Sequence, residues 1–255
     1  MTKVCEIYEE LCRLAPTGLQ MDFDNSGFLL GRAGAEPDAV LLALDVTDEV
    51  VDEAIRCGAG LIVSHHPLIF HPLKSVTDES PEGKRLLKLI EHRIAVISMH
   101  TNLDIAEGGV NDVLMAALGG RSEGPLDEDG CGRVGVLDVK LPLKDFLGLC
   151  RSALRCPGLR YVDARRPVYR IAVMGGSGAE SVERAAALGC DTYVTADVKY
   201  HQFQKALELG INLVDAGHFC TEDPVVPMLA ERLRERFPEL SVLVSEAHGP
   251  IVRYA

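Results

Sequence analysis

The sequence predicts an α/β fold made of two pseudo-repeated α/β halves, each with a mixed, largely parallel sheet flanked by helices. Short apolar runs alternate with amphipathic segments along the 255 residues, which is typical of parallel strands joined by helices. The same strand–helix–strand order occurs twice, which indicates an internal repeat. With 47% hydrophobic and 25% charged residues, the chain can bury a substantial core.

The first half begins with a packing helix. Residues 3–14 place Val4, Ile7, Leu11 and Leu14 on one helical face. A buried strand is predicted at residues 40–45 and a second one at 61–64. Between them, the pattern of residues 47–57 predicts an amphipathic helix that ends at Gly58. These elements form a βαβ unit.

The second half repeats this order. Residues 170–174 match the first strand, 180–188 the helix and 192–195 the second strand, so that GAGLIVSHH lies over GCDTYVTAD at an offset of 131. Further along, IAVISMHTNLD at 94–104 lies over NLVDAGHFCTE at 212–222, now at an offset of 118, which predicts an extra loop near residues 74–82 in the first half. This alignment places His100 over His218 and Asp104 over Glu222.

These matches divide the chain into a first α/β half at residues 1–123, a linker and short connecting segment at 124–168, and a second α/β half at 169–255. The Gly-, Asp- and Glu-rich stretch 124–133 is the best linker candidate. Two further helices, each with a proline near its start, are predicted at 142–154 and 224–237.

Composition and charge exclude several classes of protein. Lys and Arg number 26 against 38 Asp and Glu, and the net charge of -12 argues against a nucleic-acid-binding protein. No apolar stretch approaches the ~20 residues that span a bilayer, and the N-terminus lacks the apolar run of a signal peptide. The eight cysteines form no CxxC pair and fit a reducing compartment. We therefore expect a cytoplasmic protein without a membrane partner.

Polar side chains cluster where the predicted strands end, at the edge where α/β sheets bind their ligands. The clusters are Ser64-His65-His66-Pro67, residues 100–104, Thr195-Ala196-Asp197, and His218 with Glu222. Imidazole and carboxylate are the usual ligands of zinc, iron and manganese. The pattern predicts two divalent metal ions about 3.5 to 4 Å apart, bridged by a carboxylate, and Glu222 is long enough to reach both.

Other interpretations of individual residues remain open at this point. A strand-end histidine such as His100 is often a hydrogen-bonded rim residue. Cys220 is either a soft metal ligand or a packing residue, and Gly175 to Gly178 form either a phosphate cradle or a tight turn. In the N-terminal DFDNSG motif, Asp22 and Asp24 either reach the site or belong to a turn.

Five motifs together resemble those of the Nif3-like dinuclear metal centre proteins, whose members are often labelled GTP cyclohydrolase 1 type 2 homologues. The resemblance spans nearly the whole chain in the family's order. The motifs are DFDNSGFLLG (22–31), LIVSHHPLIF (61–70), HTNLDIAEGGVND (100–112), TADVKYHQ (195–202) and DAGHFCTE (215–222).

The resemblance implies a Nif3-like fold and a full set of site residues. His65 and Asp104 would bind one ion, His66 and His218 the other, and Glu222 both. His100 would lie beside the metals rather than bind them, and Asp197 would line the same cavity. The resemblance also implies a toroidal homohexamer whose sites face an internal cavity.

A two-metal site of this kind suggests a metal-dependent, cyclohydrolase-like hydrolase acting on a nucleotide-like small molecule, with His100 or Asp197 transferring protons. The alternative is a non-catalytic metal-binding or metal-handling hexameric scaffold, and a third option is a scaffold for a basic protein client. Coordination positions open to water distinguish the first two, because catalytic metals keep a water and structural ones are closed. The ligand types do not distinguish zinc, iron and manganese.

Overall fold

The computed structural model describes residues 2–254. Its α-helices are, in chain order, α1 (Val4–Leu14), α2 (Asp48–Cys57), α3 (Pro81–Glu91), α4 (Thr101–Ile105), α5 (Val110–Ala117), α6 (Leu143–Ala153), α7 (Val182–Ala187), α8 (Tyr200–Leu209), α9 (His218–Glu222) and α10 (Val225–Arg236). Its strands are β1 (Gly27–Leu30), β2 (Ala39–Ala43), β3 (Leu61–Ser64), β4 (Ala95–Ser98), β5 (Gly120–Pro125), β6 (Arg133–Leu141), β7 (Arg160–Val162), β8 (Val168–Val173), β9 (Thr192–Thr195), β10 (Asn212–Asp215) and β11 (Ser241–Val244).

The elements group into two units. The first unit contains residues 2–106 and Val226–Gly249, and the second contains Glu107–Val225 and residues 250–254. The chain therefore passes from the first unit to the second after residue 106, returns to the first at α10, and passes to the second again after residue 249. Residues 226–249 belong to the first unit, because strand β11 pairs parallel with β2.

The first unit has a five-stranded sheet in the order β1-β4-β3-β2-β11. Strands β4, β3, β2 and β11 run parallel, and β1 pairs antiparallel with β4. All residues of β2, β3 and β4 are buried, as expected for strands covered on both faces of a parallel sheet. The predicted largely parallel sheet is confirmed here.

The second unit has a six-stranded sheet in the order β5-β6-β8-β9-β10-β7. Only β8, β9 and β10 are parallel to one another, and the outer strands pair antiparallel with their neighbours. The linker candidate at 124–133 contains the connection between the paired strands β5 and β6, at residues 126–132, and the strand ends on either side of it. Gly and Asp favour hairpin turns as well as linkers, so composition alone did not separate the two structures.

Local sequence explains why the helices begin and end where they do. The Thr47 hydroxyl accepts a hydrogen bond from the Val50 amide (3.3 Å) and caps α2, while Gly58 ends this helix with φ 70°. In the same way, the Ser80 hydroxyl caps α3, which begins with a proline. On α1, the side chains of Val4, Ile7 and Leu11 are buried, which confirms the predicted packing face.

The internal repeat is confirmed, with one correction to its register. Strands β3 and β9 have the predicted offset of 131, but β4 and β10 are related by 117 rather than 118. The strand pairings support the offset of 117. The last residue of β3, Ser64, is paired with Ser98 of β4, and the last residue of β9, Thr195, is paired with Asp215 of β10. The helices that follow these strands, α4 and α9, are related by the same offset of 117. His218 therefore corresponds to Thr101 and not to His100. Short apolar strands contain no marker that would have resolved this one-residue ambiguity.

Candidate metal centre

His65 follows β3 at the carboxyl end of the first sheet and is 1% exposed. Its Nδ1 lies 2.8 Å from the backbone oxygen of Met99. Because a carbonyl oxygen only accepts hydrogen bonds, Nδ1 carries the proton and the lone pair of the neutral ring is on Nε2. Nε2 lies 3.7 Å from Oδ1 of Asp104, which is on α4.

His66, the next residue, is oriented by a carboxylate. Its Nδ1–H donates to Oδ1 of Asp45 over 2.7 Å, and Asp45 follows strand β2. Asp45 is not among the site residues predicted from the sequence, although an acidic residue at the carboxyl end of a predicted strand is a usable signal. A carboxylate on one ring nitrogen fixes the ring orientation and makes the other nitrogen a stronger metal ligand.

His100 is held by the N-terminal motif. Its Nδ1–H donates to Oδ1 of Asp24 over 2.7 Å, and the Asp24 side chain is fully buried. Asp24 also accepts hydrogen bonds from the Ser26 hydroxyl and from the amide and hydroxyl of Thr101. Burial by itself would raise the pKa of Asp24, but the hydrogen bonds from His100, Ser26 and Thr101 outweigh it and hold this pKa well below its ordinary value. Asp24 thus belongs to a turn and also reaches the site.

The three histidines of the first unit converge. Each of His65, His66 and His100 offers a ligand atom, and these atoms lie within 4.8 Å of one another. Their ring centroids are 5.0 to 5.5 Å apart. Three imidazoles and the neighbouring Asp104 are donors that a transition-metal ion accepts, so the first unit carries one candidate half-site.

The second unit carries the other predicted residues. His218 is the first residue of α9 and Glu222 the last, one helical turn apart, with His218 Nε2 3.1 Å from Glu222 Oε2. His218 Nδ1–H donates to Asp197 over 2.7 Å. Burial lowers the pKa of His218, but the hydrogen bonds and charges of Glu222 and Asp197 more than offset this and raise its pKa to about 9. Without a metal, His218 is therefore protonated at neutral pH.

A tight turn at Gly175–Gly178 lies against the side chain of Glu222. Gly176 has φ 63°, and a Cβ at this position would overlap Oε1 of Glu222. The amides of Gly175, Gly176 and Gly178 donate to the side chains of Asn111, Thr221 and Thr195, respectively. Because these amides are already used, the Gly175–Gly178 segment is a turn and not a phosphate cradle.

Cys220 packs in the core. It is 5% exposed and belongs to the hydrophobic cluster of the second unit, together with Cys150 and Cys156. This surrounding supports the packing interpretation over the soft-ligand one.

The structure therefore brings the predicted site residues together as two groups, one in each unit. His65, His66, His100 and Asp104 form the first group, and Asp197, His218 and Glu222 form the second. That the two groups meet at one dinuclear centre remains a prediction.

The fold and the site together define an α/β protein with a duplicated parallel core and histidine–carboxylate groups at the carboxyl ends of its strands. Residues 2–250 match the family model described as Duf34/NIF3 (NGG1p interacting factor 3). The chain belongs to this family, which confirms the resemblance found in its motifs.

Several relatives and solved structures are similar over nearly their full length. A protein from Clostridium perfringens named "GTP cyclohydrolase 1 type 2 homolog" is 36% identical, with 97% of this chain and 98% of the relative covered. The structure of the Bacillus cereus protein related to NIF3 superposes with a TM-score of 0.94 at 26% identity, covering 100% of this chain and 99% of the other. Reduced HcgD from Methanocaldococcus jannaschii superposes with a TM-score of 0.85 at 30% identity, covering 96% and 98%.

Among residues 2–254, no helix combines the length and the apolar character needed to cross a membrane.

Proposed function

We propose that the residues of the two units together hold two divalent metal ions, and that the centre hydrolyses a nucleotide-like small molecule. His65 and Asp104 would bind one ion, His66 and His218 the other, and Glu222 both. Membership of the NIF3 family and the names of the curated relatives support this proposal. The observation that carries it is the imidazole–carboxylate pair in each unit: His65 Nε2 lies 3.7 Å from Asp104 Oδ1, and His218 Nε2 lies 3.1 Å from Glu222 Oε2.

The donor set fits zinc, iron or manganese. Nδ1 of each proposed histidine ligand donates to an oxygen, so that Nε2 is the ligating nitrogen: His65 to Met99, His66 to Asp45 and His218 to Asp197. Neutral imidazole and carboxylate are the ligand types that these ions share. When bound, such ions supply Lewis acidity and lower the pKa of a coordinated water.

His100 and Asp197 are the candidates for proton transfer. His100 is held in one orientation by the buried carboxylate of Asp24 and is the first candidate for transferring a proton to or from the substrate. Asp197, with a side chain that is 51% exposed, is the second. The side chains of His66 and His218 are 24% and 38% exposed, whereas that of His65 is fully buried, so solvent reaches part of each group. This access fits a catalytic centre, because a substrate must be able to reach the ions.

The first test is the metal content of the purified protein. Elemental analysis should find close to two ions per chain in the wild type, and the double variant His65→Ala/Glu222→Ala should lose both. Because His65 is buried, His66→Ala provides a less disruptive variant, and the exposed His92→Ala is the matched control that should keep the metal. Full retention of metal by the double variant would contradict the ligand assignment.

The second part of this test is turnover. Protein reconstituted with zinc, iron or manganese should hydrolyse at least one member of a panel of nucleotides, pterin precursors and phosphoesters, and His218→Ala should abolish the activity. Two bound ions with no turnover on any substrate would instead support the metal-handling scaffold.

A further inference from the structure

The second unit contains a cavity next to His218, and most of its lining residues are not proposed metal ligands. It encloses about 460 Å³, a volume typical of small-molecule sites. Asp197, His218 and Phe219 line one part of it, and Arg160 and Asp215 line another. A ligand in this cavity would therefore contact a proposed metal ligand and a candidate proton-transfer group.

The C-terminal segment provides an apolar wall of this cavity. Ile251, Val252 and Tyr254 line it, although these residues are 90%, 62% and 45% exposed. Tyr254 packs on Gly158, where a Cβ would come within 2.6 Å of the tyrosine ring. Large apolar side chains left in water beside a cavity mark a surface that a ligand can cover, and an aromatic ring favours a planar one.

The charged groups of the cavity do not favour an anion. Arg160 forms an ion pair with Asp215, which also accepts hydrogen bonds from the amides of Val198 and Gly217. Asp197 adds a further carboxylate. The Arg160 charge is thus balanced by Asp215. The charge of His218, the other cationic side chain of the lining, is balanced by Asp197 and Glu222, so no surplus positive charge is left to bind a phosphate chain. The Arg160 bonds to Asp215 and Val198 use only Nη2, so its other N–H groups can donate to an uncharged acceptor.

We propose that this cavity binds an uncharged, planar heteroaromatic ring, which packs on Tyr254 and accepts hydrogen bonds from Arg160 through a ring nitrogen or carbonyl oxygen. The inference rests on the proposed function in one respect, since it names the substrate class of that site. It adds that recognition depends on the ring and not on phosphate groups.

The test uses 2-aminopurine riboside, a fluorescent purine nucleoside whose emission is quenched by stacking, with the full-length protein. The riboside should bind with quenching, and its 5′-triphosphate should bind no more tightly to chelator-treated protein. Tyr254→Ala should weaken binding about tenfold through loss of the stacked ring. Arg160→Lys, which keeps the charge but loses the planar donors, should weaken it several-fold.

Matched controls are Tyr169→Ala and Arg151→Lys, which lie in the same unit but do not line the cavity and should leave binding unchanged. Equal affinity of wild type and Tyr254→Ala would overturn the inference. So would tighter binding of the triphosphate to chelator-treated protein, or binding that disappears when metal is removed. Because ring binding is measured without metal, it is unaffected by a failure of the dinuclear proposal.

Discussion

At the scale of single residues, the histidines of both groups share one arrangement. Nδ1 of His66, His100 and His218 donates to Asp45, Asp24 and Asp197 over 2.7 Å in each case, and Nδ1 of His65 donates to a backbone oxygen. An imidazole fixed through Nδ1 presents Nε2 in a defined direction, with little conformational entropy left to lose on binding. The acceptors are therefore as much a part of the candidate site as the histidines.

Asp24 provides a prediction for stability at this scale. Its pKa is lower in the folded chain than the value near 4 of an unfolded aspartate, so its stabilising effect is complete above ~pH 5 and is lost as the pH falls through the folded-state pKa. Asp24→Asn should therefore cost about 2 kcal/mol of unfolding free energy at pH 7 and progressively less in acid. Urea unfolding at a series of pH values measures the difference from wild type.

The control is Asp22→Asn, which changes an exposed carboxylate of the same motif and should have little effect. A cost for Asp24→Asn that stayed constant from pH 7 to the acid limit would show that the carboxylate charge is not the cause.

At the scale of elements, the turn after β8 packs against helix α9 and determines where the Glu222 side chain can lie. The helix starts with His218 and ends with Glu222, and the turn leaves room for the glutamate only because Gly176 has no side chain. In the first unit, the segment that directly follows β3 carries His65 and His66. Ligand positions in this fold thus depend on the short segments that follow parallel strands.

Gly176→Ala should displace Glu222 and reduce the metal content. The control is Gly189→Ala, because Gly189 also has a positive φ (77°) but has open space where its Cβ would be. Both variants should lose ~1 to 2 kcal/mol of stability from backbone strain, and only Gly176→Ala should lose metal. Thermal unfolding and elemental analysis distinguish the two effects. Equal metal content in both variants would mean that the position of Glu222 is not critical.

At the scale of the whole molecule, we propose the toroidal homohexamer that the family resemblance implies. Large apolar side chains such as Phe23, Val139 and Tyr200 are more than half exposed in the single chain, and subunit contacts are one way to cover such surface. Light scattering during size-exclusion chromatography should give a mass about six times the 27.6 kDa of the chain. A mass equal to one chain at micromolar concentration would refute the assembly.

The sequence by itself determined the parallel core strands and most helix boundaries, and it supplied the candidate site residues. Strand periodicity, caps and the position of polar residues after apolar strands are local signals, and they predicted His65, His66, Asp104, His218 and Glu222 as candidates. Tertiary structure decided which groups meet. His100 and Asp24 are 76 residues apart, and His66 and Asp45 are 21 apart. Such pairs depend on the order and register of the strands, which local patterns do not encode. For the same reason the apolar pattern of β4 and β10 leaves the alignment of the repeat ambiguous by one residue.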